Sequence, residues 1–329
     1  MTEFNSAAEQ QIGRPVRVVS IAFKPNVPLE HVAEMVDLEG ARGTDLIVLP
    51  ETFLGQNEAT IEPLSGRTIQ TIGGLAKKHR TYVVCPVDRC QGNQRFNSAV
   101  VLDRSGEIVC IYDKMYLYYE EYGKTPPVQP GERASAFSTD FGRVGLAICF
   151  DVNWPDLWKE LSDQGAELVI WPSAYSAGRA LQAHAINHHY YVVSATWTPD
   201  CRVYDIDGAE MSHGSDTGQH GAHVTRIILD LDRCIFHYNV NAPGKLRRLL
   251  EDHGDDVEQE KALPLESWFV LRAKRPGVSA RELARKYGLE ELTHYINRSD
   301  LEIDALRKAS SATAGHVAAC TAQDSRYRS

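Results

Sequence analysis

Apolar residues in this chain fall into short unbroken runs that alternate with stretches of 3.6-residue periodicity. Val16-Arg17-Val18-Val19-Ser20-Ile21-Ala22-Phe23 reads as a buried strand, and Leu29 to Ala41 as an amphipathic helix ending near Gly43. Asp45-Leu46-Ile47-Val48-Leu49-Pro50 reads as a second buried strand, which Pro50 stops just before Glu51. Strand, helix, strand implies parallel pairing. The alternation predicts a helix over Arg67–His79, strands near Tyr82–Val87, Ser98–Leu102 and Ile108–Tyr112, and a long polar loop to about Glu132. Beyond it come a strand over Arg143–Ile148, a helix over Pro155–Gln164 opened by Asn153, a strand over Leu168–Trp171, a helix over Arg179–His189 and a strand over Tyr191–Ala195. Interleaved elements of this kind predict a layered α/β domain to about Asn241.

From Lys245 the pattern changes to charged helical segments, with Glu251–Glu260 strongly acidic and Pro276-Gly277 as punctuation. This part reads as an appendage without a core of its own. The small, polar stretch from Ser310 and the first dozen residues are expected to lack order.

Composition narrows the choice of partner. A chain of 329 residues with 43% hydrophobic side chains can bury a large core. Its formal charge of -9 disfavours a phosphate-backbone partner, so no nucleic acid is expected, although Val278–Leu289 has the look of the first helix and turn of a helix-turn-helix. The N-terminus lacks a basic start and an apolar leader, and no window approaches eighteen apolar residues, so no membrane association and a cytoplasmic location are expected. The seven cysteines are odd in number, irregularly spaced and free of any C-x-x-C pair, which points to neither a disulfide framework nor a zinc knuckle.

Three predicted strands end in a reactive residue: Glu51, Lys114 and Cys149. In open α/β sheets the carboxyl ends of strands converge on the ligand crevice. Cys149 stands between a buried strand and a helix start, where a helix N-terminus favours thiolate; a free thiol, with a pKa of about 8.5, is only slightly ionised at neutral pH. Taken singly, an inert core cysteine, a solvated glutamate and a surface lysine are the commoner fates of such residues. Three together at three strand ends point to chemistry.

Pro50-Glu51-Thr52-Phe53, Tyr112-Asp113-Lys114 and Gly145-Leu146-Ala147-Ile148-Cys149-Phe150-Asp151 with Trp154-Pro155 resemble, in order and spacing, the nitrilase superfamily of carbon–nitrogen hydrolases. The resemblance covers about Val16 to Asn241. It implies a four-layer αββα sandwich, a Glu-Lys-Cys triad of Glu51, Lys114 and Cys149, and a homodimer or higher assembly. It further implies a second glutamate in the loop after the lysine, for which Glu121 is the choice and Glu120 the rival. The middle residue of the lysine motif is Asp113 where the family often has arginine. On this reading residues 15–244 form the hydrolase domain, residues 245–309 a charged helical extension, and residues 1–14 and 310–329 disordered ends.

The chemistry implied is attack of Cys149 on an amide or N-carbamoyl carbon, a nitrile being the less expected substrate. Glu51 moves the proton, and Lys114 with the Phe150 N–H receives the negative charge. Substrate contacts are expected from Phe150, Tyr118 and Ser173, the partners are a small molecule and water, and no metal or organic cofactor is called for. His184 and His188, four apart on a predicted helix, have the spacing of a shared zinc, but no H-E-x-x-H accompanies them. Two rivals keep the same fold: an acyltransferase that passes the thioester to an amine, and a non-catalytic binding protein.

Overall fold

The structure, a computed structural model, describes residues 11–212, 216–241 and 243–321. Residues 1–10 and 322–329, at the ends expected to lack order, lie outside the described residues. The elements run β1 (Pro15–Ala22), α1 (Leu29–Gly40), β2 (Leu46–Val48), α2 (Arg67–His79), β3 (Tyr82–Gln91), β4 (Gln94–Leu102), β5 (Ile108–Asp113), α3 (Tyr119–Tyr122), β6 (Ser135–Ser138) and β7 (Arg143–Leu146). They continue with α4 (Pro155–Asp163), β8 (Leu168–Ser173), α5 (Gly178–His188), β9 (Tyr191–Thr196), β10 (Val203–Tyr204), β11 (Glu210–Ser212), β12 (Asp216–Thr217), β13 (His223–Asp230) and β14 (Cys234–His237). The last are α6 (Pro243–His253), β15 (Val257–Leu263), β16 (Trp268–Ala273), α7 (Ala280–Lys286) and α8 (Leu292–Thr321).

Two mixed sheets form the centre. The first has the order β12-β13-β1-β2-β3-β4-β5 and the second β11-β10-β9-β8-β7-β6. Among the described strands, parallel pairing joins β1-β2-β3 and β7-β8-β9, the two strand–helix–strand units. Alternate residues of the first sheet face opposite ways, as a two-residue strand period requires. Val18, Val48, Val84 and Val101 point inward and share one cluster with Leu146, Ile170 and Val193 of the second sheet. Val19, Ile47, Val83 and Val100 point outward against Val32 and Val36 of α1 and Ile69 and Ile72 of α2. On the far side, α4 and α5 cover the second sheet through Trp158, Leu161, Leu181 and Ala185. The result is a four-layer αββα sandwich.

β3 and β4 run longer than their apolar pattern predicts. Their turn-proximal ends carry Asp88 and Arg95, a fully buried ion pair, so charged residues stand where the apolar alternation breaks off. The polar loop after β5 also holds the short helix α3, which places Glu121.

The C-terminal part contains the expected helices α6, α7 and α8, and a strand pair besides. β15 and β16 join β14 in a third sheet, order β14-β16-β15, whose apolar cluster of Phe236, Leu249, Phe269, Leu271 and Ala284 corrects the expectation of a part without a core of its own. The sequence Val-Glu-Gln-Glu-Lys-Ala-Leu of β15 is charged because Glu258 pairs with Arg272, Glu260 with Arg233 and Lys261 with Asp205 and Asp207, which hides a strand from an apolar count. Arg233, buried, clamps this sheet to the sandwich by pairing with Asp205 and with Glu260 of β15. Helix α8 extends beyond residue 310, into the stretch where no order is expected. Among the described residues, no helix is long and apolar enough to cross a membrane.

Ile170 sits at the centre of β8, fully buried between the sheets and the α4–α5 layer. Replacing it with alanine should lower the unfolding free energy by about 3 kcal/mol, read as a reduced urea midpoint at unchanged slope.

Candidate active site

Lys114, the residue after β5, is almost wholly buried, at 1% exposure. Its Nζ donates to Glu51 Oε1 at 2.9 Å and to Glu121 Oε2 at 2.7 Å. A buried ammonium of this kind persists only when paired and hydrogen-bonded. Burial works against the charge on Lys114, but Glu51, Cys149 and Glu121 outweigh it and raise the ammonium well above its ordinary range. Glu121 is likewise pulled up by burial, yet ends below the usual carboxylate range because of the Lys114 charge and donors from Lys114, Asn97 and Gln56.

The two carboxylates are filled unequally. Glu121 Oε2 accepts from Lys114 and from Tyr118 N–H, and its Oε1 from Asn97 Nδ2 at 2.8 Å and Gln56 Nε2 at 3.1 Å. Glu51 Oε1 accepts from Lys114 and from Asn97 Nδ2 at 2.8 Å, while among the described residues its Oε2 accepts only Ala174 N–H, at 2.9 Å. With two lone pairs per oxygen, Glu51 Oε2 keeps one direction open and Glu121 none.

Cys149 opens a 3₁₀ turn, Cys149–Asn153, that leaves β7. Its φ is +47°, a left-handed conformation that costs a residue with a Cβ about 1 kcal/mol or more. The turn is over-determined by side-chain donors. Trp171 Nε1 donates to the carbonyl of Cys149, Asn153 Nδ2 to that of Phe150, Trp158 Nε1 to that of Asp151 and His184 Nε2 to that of Val152. The Asp151 carboxylate accepts from Tyr112 OH at 2.6 Å, Tyr116 N–H at 2.8 Å and Ile148 N–H at 2.8 Å. It therefore ties the turn to the strand that carries Lys114.

Glu51, Lys114, Cys149 and Glu121 border one cavity of about 410 Å³, with Tyr118, Gln56, Asn57, Lys124, Ala174 and Trp197 in its wall. Glu120 also lies on this wall but is exposed, whereas Glu121 is buried against Lys114. Tyr118 reaches the cavity; Ser173 is buried behind it, and Phe150 packs edge-on against Tyr118 and Trp154. Burial pushes the Cys149 thiol up to about 12, Glu51 adds to the shift, and Lys114, the Ser173 hydroxyl and Ala174 N–H work against it. The thiolate expected beside a helix N-terminus is not favoured here, because burial outweighs these donors and keeps the thiol protonated.

Several contributors escape a sequence reading. Asn97 lies inside β4, Gln56 on the loop after Glu51, and Trp197, whose Nε1 donates to the Glu51 carbonyl at 2.6 Å, just after β9. None belongs to a recognisable string. The unusual Asp113 does have an explanation: Arg89 donates to both its carboxylate oxygens at 2.9 Å and Ser98 Oγ donates to Oδ1, so its charge is compensated one residue from Lys114. His184 and His188 belong to a ring stack that begins on Trp158.

The family model described as carbon-nitrogen hydrolase matches residues 16–224, more than half of the chain. The chain belongs to the carbon-nitrogen hydrolases of the nitrilase superfamily and is an enzyme of that amidase and nitrilase class. It is 29% identical over 244 residues to human deaminated glutathione amidase, covering 66% of this chain and 74% of that protein. To the Synechocystis deaminated glutathione amidase it is 27% identical over 207 residues, covering 55% and 76%. In structure it is similar to Saccharomyces cerevisiae Nit3, a member of branch 10 of the nitrilase superfamily, with a TM-score of 0.57 at 20% identity, covering 67% of this chain and 91% of that one.

Burial raises the Asp151 carboxyl to about 6, against donors from Tyr112, Ile148 and Tyr116 that favour its ionised form. The folded state therefore holds this proton more tightly than the unfolded chain. Stability from neutral Asp151 is complete below the reference value of 3.8 and is lost as the pH rises through about 6. Urea midpoints of wild type and Asp151→Asn compared across this window should move against the wild type with rising pH and run level above it. Asp151→Ala, which strands three donors, should cost about 3 kcal/mol or more at pH 7.

Proposed function

We propose that this enzyme hydrolyses an amide or N-carbamoyl bond through a thioester on Cys149, with Glu51 as proton carrier, Lys114 as oxyanion partner and Glu121 holding Lys114 in place. The observation that carries this reading is the inequality between the two carboxylates: Glu51 Oε2 keeps an acceptor direction open beside Ala174, on the cavity that Cys149 borders. Lys114 supports it from the other side, since an ammonium has three N–H donors and only two are engaged by carboxylates.

The Cys149 proton passes to Glu51 Oε2 as the sulfur–carbon bond forms, and the carbonyl electron pair moves onto oxygen. Lys114 and Phe150 N–H receive that charge. The carbon–nitrogen bond then breaks, with the proton returning from Glu51 to the leaving nitrogen. Water, deprotonated by Glu51, attacks the thioester, and the sulfur leaves and takes the proton back. A thiol with its pKa near 12 suits this order of events, because the nucleophile stays neutral until a substrate is in place.

The names of the relatives favour an amide over a nitrile. The same reading takes a small molecule and water as partners and a homodimer or higher assembly, which sedimentation equilibrium tests directly. In a panel of amides, N-carbamoyl compounds and nitriles, Cys149→Ala should abolish turnover and intact-mass spectra of wild type should show an acyl adduct on Cys149. Lys114→Met should lower kcat about 10²- to 10³-fold. Turnover that survives in Cys149→Ala overturns the mechanism.

A further inference from the structure

Asn97 stands where two negative charges meet. Its single Nδ2 donates one hydrogen to Glu51 Oε1 and one to Glu121 Oε1, both at 2.8 Å. The opposite orientation of the amide would set its oxygen against two carboxylates, so those carboxylates fix which way it faces. The side chain is buried, and Oδ1, also buried, accepts no hydrogen bond among the described residues. The amide is thus committed entirely on its donor side. Its backbone is equally committed: the Asn97 carbonyl accepts Lys114 N–H at 2.9 Å. Two residues earlier, Arg95 donates to the carbonyls of Thr125 and Pro126, fastening the loop that carries Glu121 to the same strand.

We propose that Asn97 is a positioning residue that keeps Glu51 and Glu121 ionised together around one ammonium, and so keeps Glu51 able to accept the Cys149 proton. This rests on the reading of Glu51 as proton carrier. Two carboxylates confined to one buried site ordinarily share a proton, because their like charges oppose double ionisation. Lys114 supplies one positive charge for two negative ones, and the Asn97 amide dipole supplies the remaining positive potential at the oxygens that face each other. Among the described residues, the other charged and titratable groups around this pair are Glu120, Lys124 and Tyr118 from the loop after Lys114, Cys149 from the turn after β7 and Tyr175 after β8, with Asp151 acting on Lys114 from behind. Without Asn97 the pair takes up a proton at higher pH. Which carboxylate holds it is then a property of the pair.

The test uses iodoacetamide and the whole protein, with alkylation of Cys149 followed by peptide mass spectrometry from pH 4 to 9. In this reaction the sulfur–carbon bond forms, iodide leaves and Glu51 takes the thiol proton, so the acid limb of the rate profile reports the carboxylate pair. Asn97→Ala should move that limb up by about one pH unit, a tenfold slowing on its slope. Asn97→Asp, close in shape and so fit to fold where alanine is not, should move it further by adding a third carboxyl group. Combining Asn97→Ala with Glu121→Gln should return the limb towards its wild-type position. A limb that stays in place while rates fall evenly at all pH values makes Asn97 a packing residue and overturns the proposal. The Glu51→Gln variant separates the two claims: if it keeps the wild-type limb, the assignment of Glu51 as proton carrier fails, whereas loss of the limb there with no shift in the Asn97 variants defeats only the role of Asn97.

Discussion

The structure turns on one buried ammonium. Lys114 has almost no contact with water, and its charge is tolerable only because Glu51 and Glu121 converge on it from two separate loops. That requirement fixes the loop after β2, the loop after β5 and, through Glu51 and Ala174, the loop after β8. Three connections that would otherwise be free to wander are drawn to a point. The sandwich supplies strand ends that can reach that point, and the ammonium supplies the reason for them to meet.

Much of this was legible in the residues, and the reason is burial. β1, β2, β8 and β9 are covered on both faces, so each is a mostly apolar run, and the helices between them carry a clear periodic stripe. Glu51 and Cys149 stand just past buried runs and Lys114 past the edge strand β5, which makes all three conspicuous. β15 was not legible, since its charged residues are spent on ion pairs with Arg233, Asp205, Asp207 and Arg272 and the segment looks helical by charge alone. Nor were the far ends of β3 and β4, where a buried Asp88–Arg95 pair imitates a loop.

Choosing between Glu120 and Glu121 was beyond the sequence for a related reason. Adjacent residues in a single helical turn point in different directions, and only the direction of the backbone decides which one faces Lys114. Asn97 is a harder case. An amide side chain within a strand has no spacing or neighbour that marks it, and its importance arises wholly from two carboxylates 46 and 24 positions away. Asp113 shows the converse: an apparent departure in the lysine motif is balanced by Arg89, a partner on the neighbouring hairpin.

The turn that carries Cys149 is caught by donors from elsewhere. Four successive carbonyls, from Cys149 to Val152, are each met by a side-chain N–H, and three of those donors, Trp158, Trp171 and His184, belong to α4, β8 and α5. The outer helical layer is therefore part of the mould in which the nucleophile is cast. Distance from the cavity becomes a poor guide to functional weight in this molecule: Trp158 and His184 hold the nucleophile's turn from the layer that faces away from the substrate, so the packing of α4 against α5 bears on where the sulfur stands.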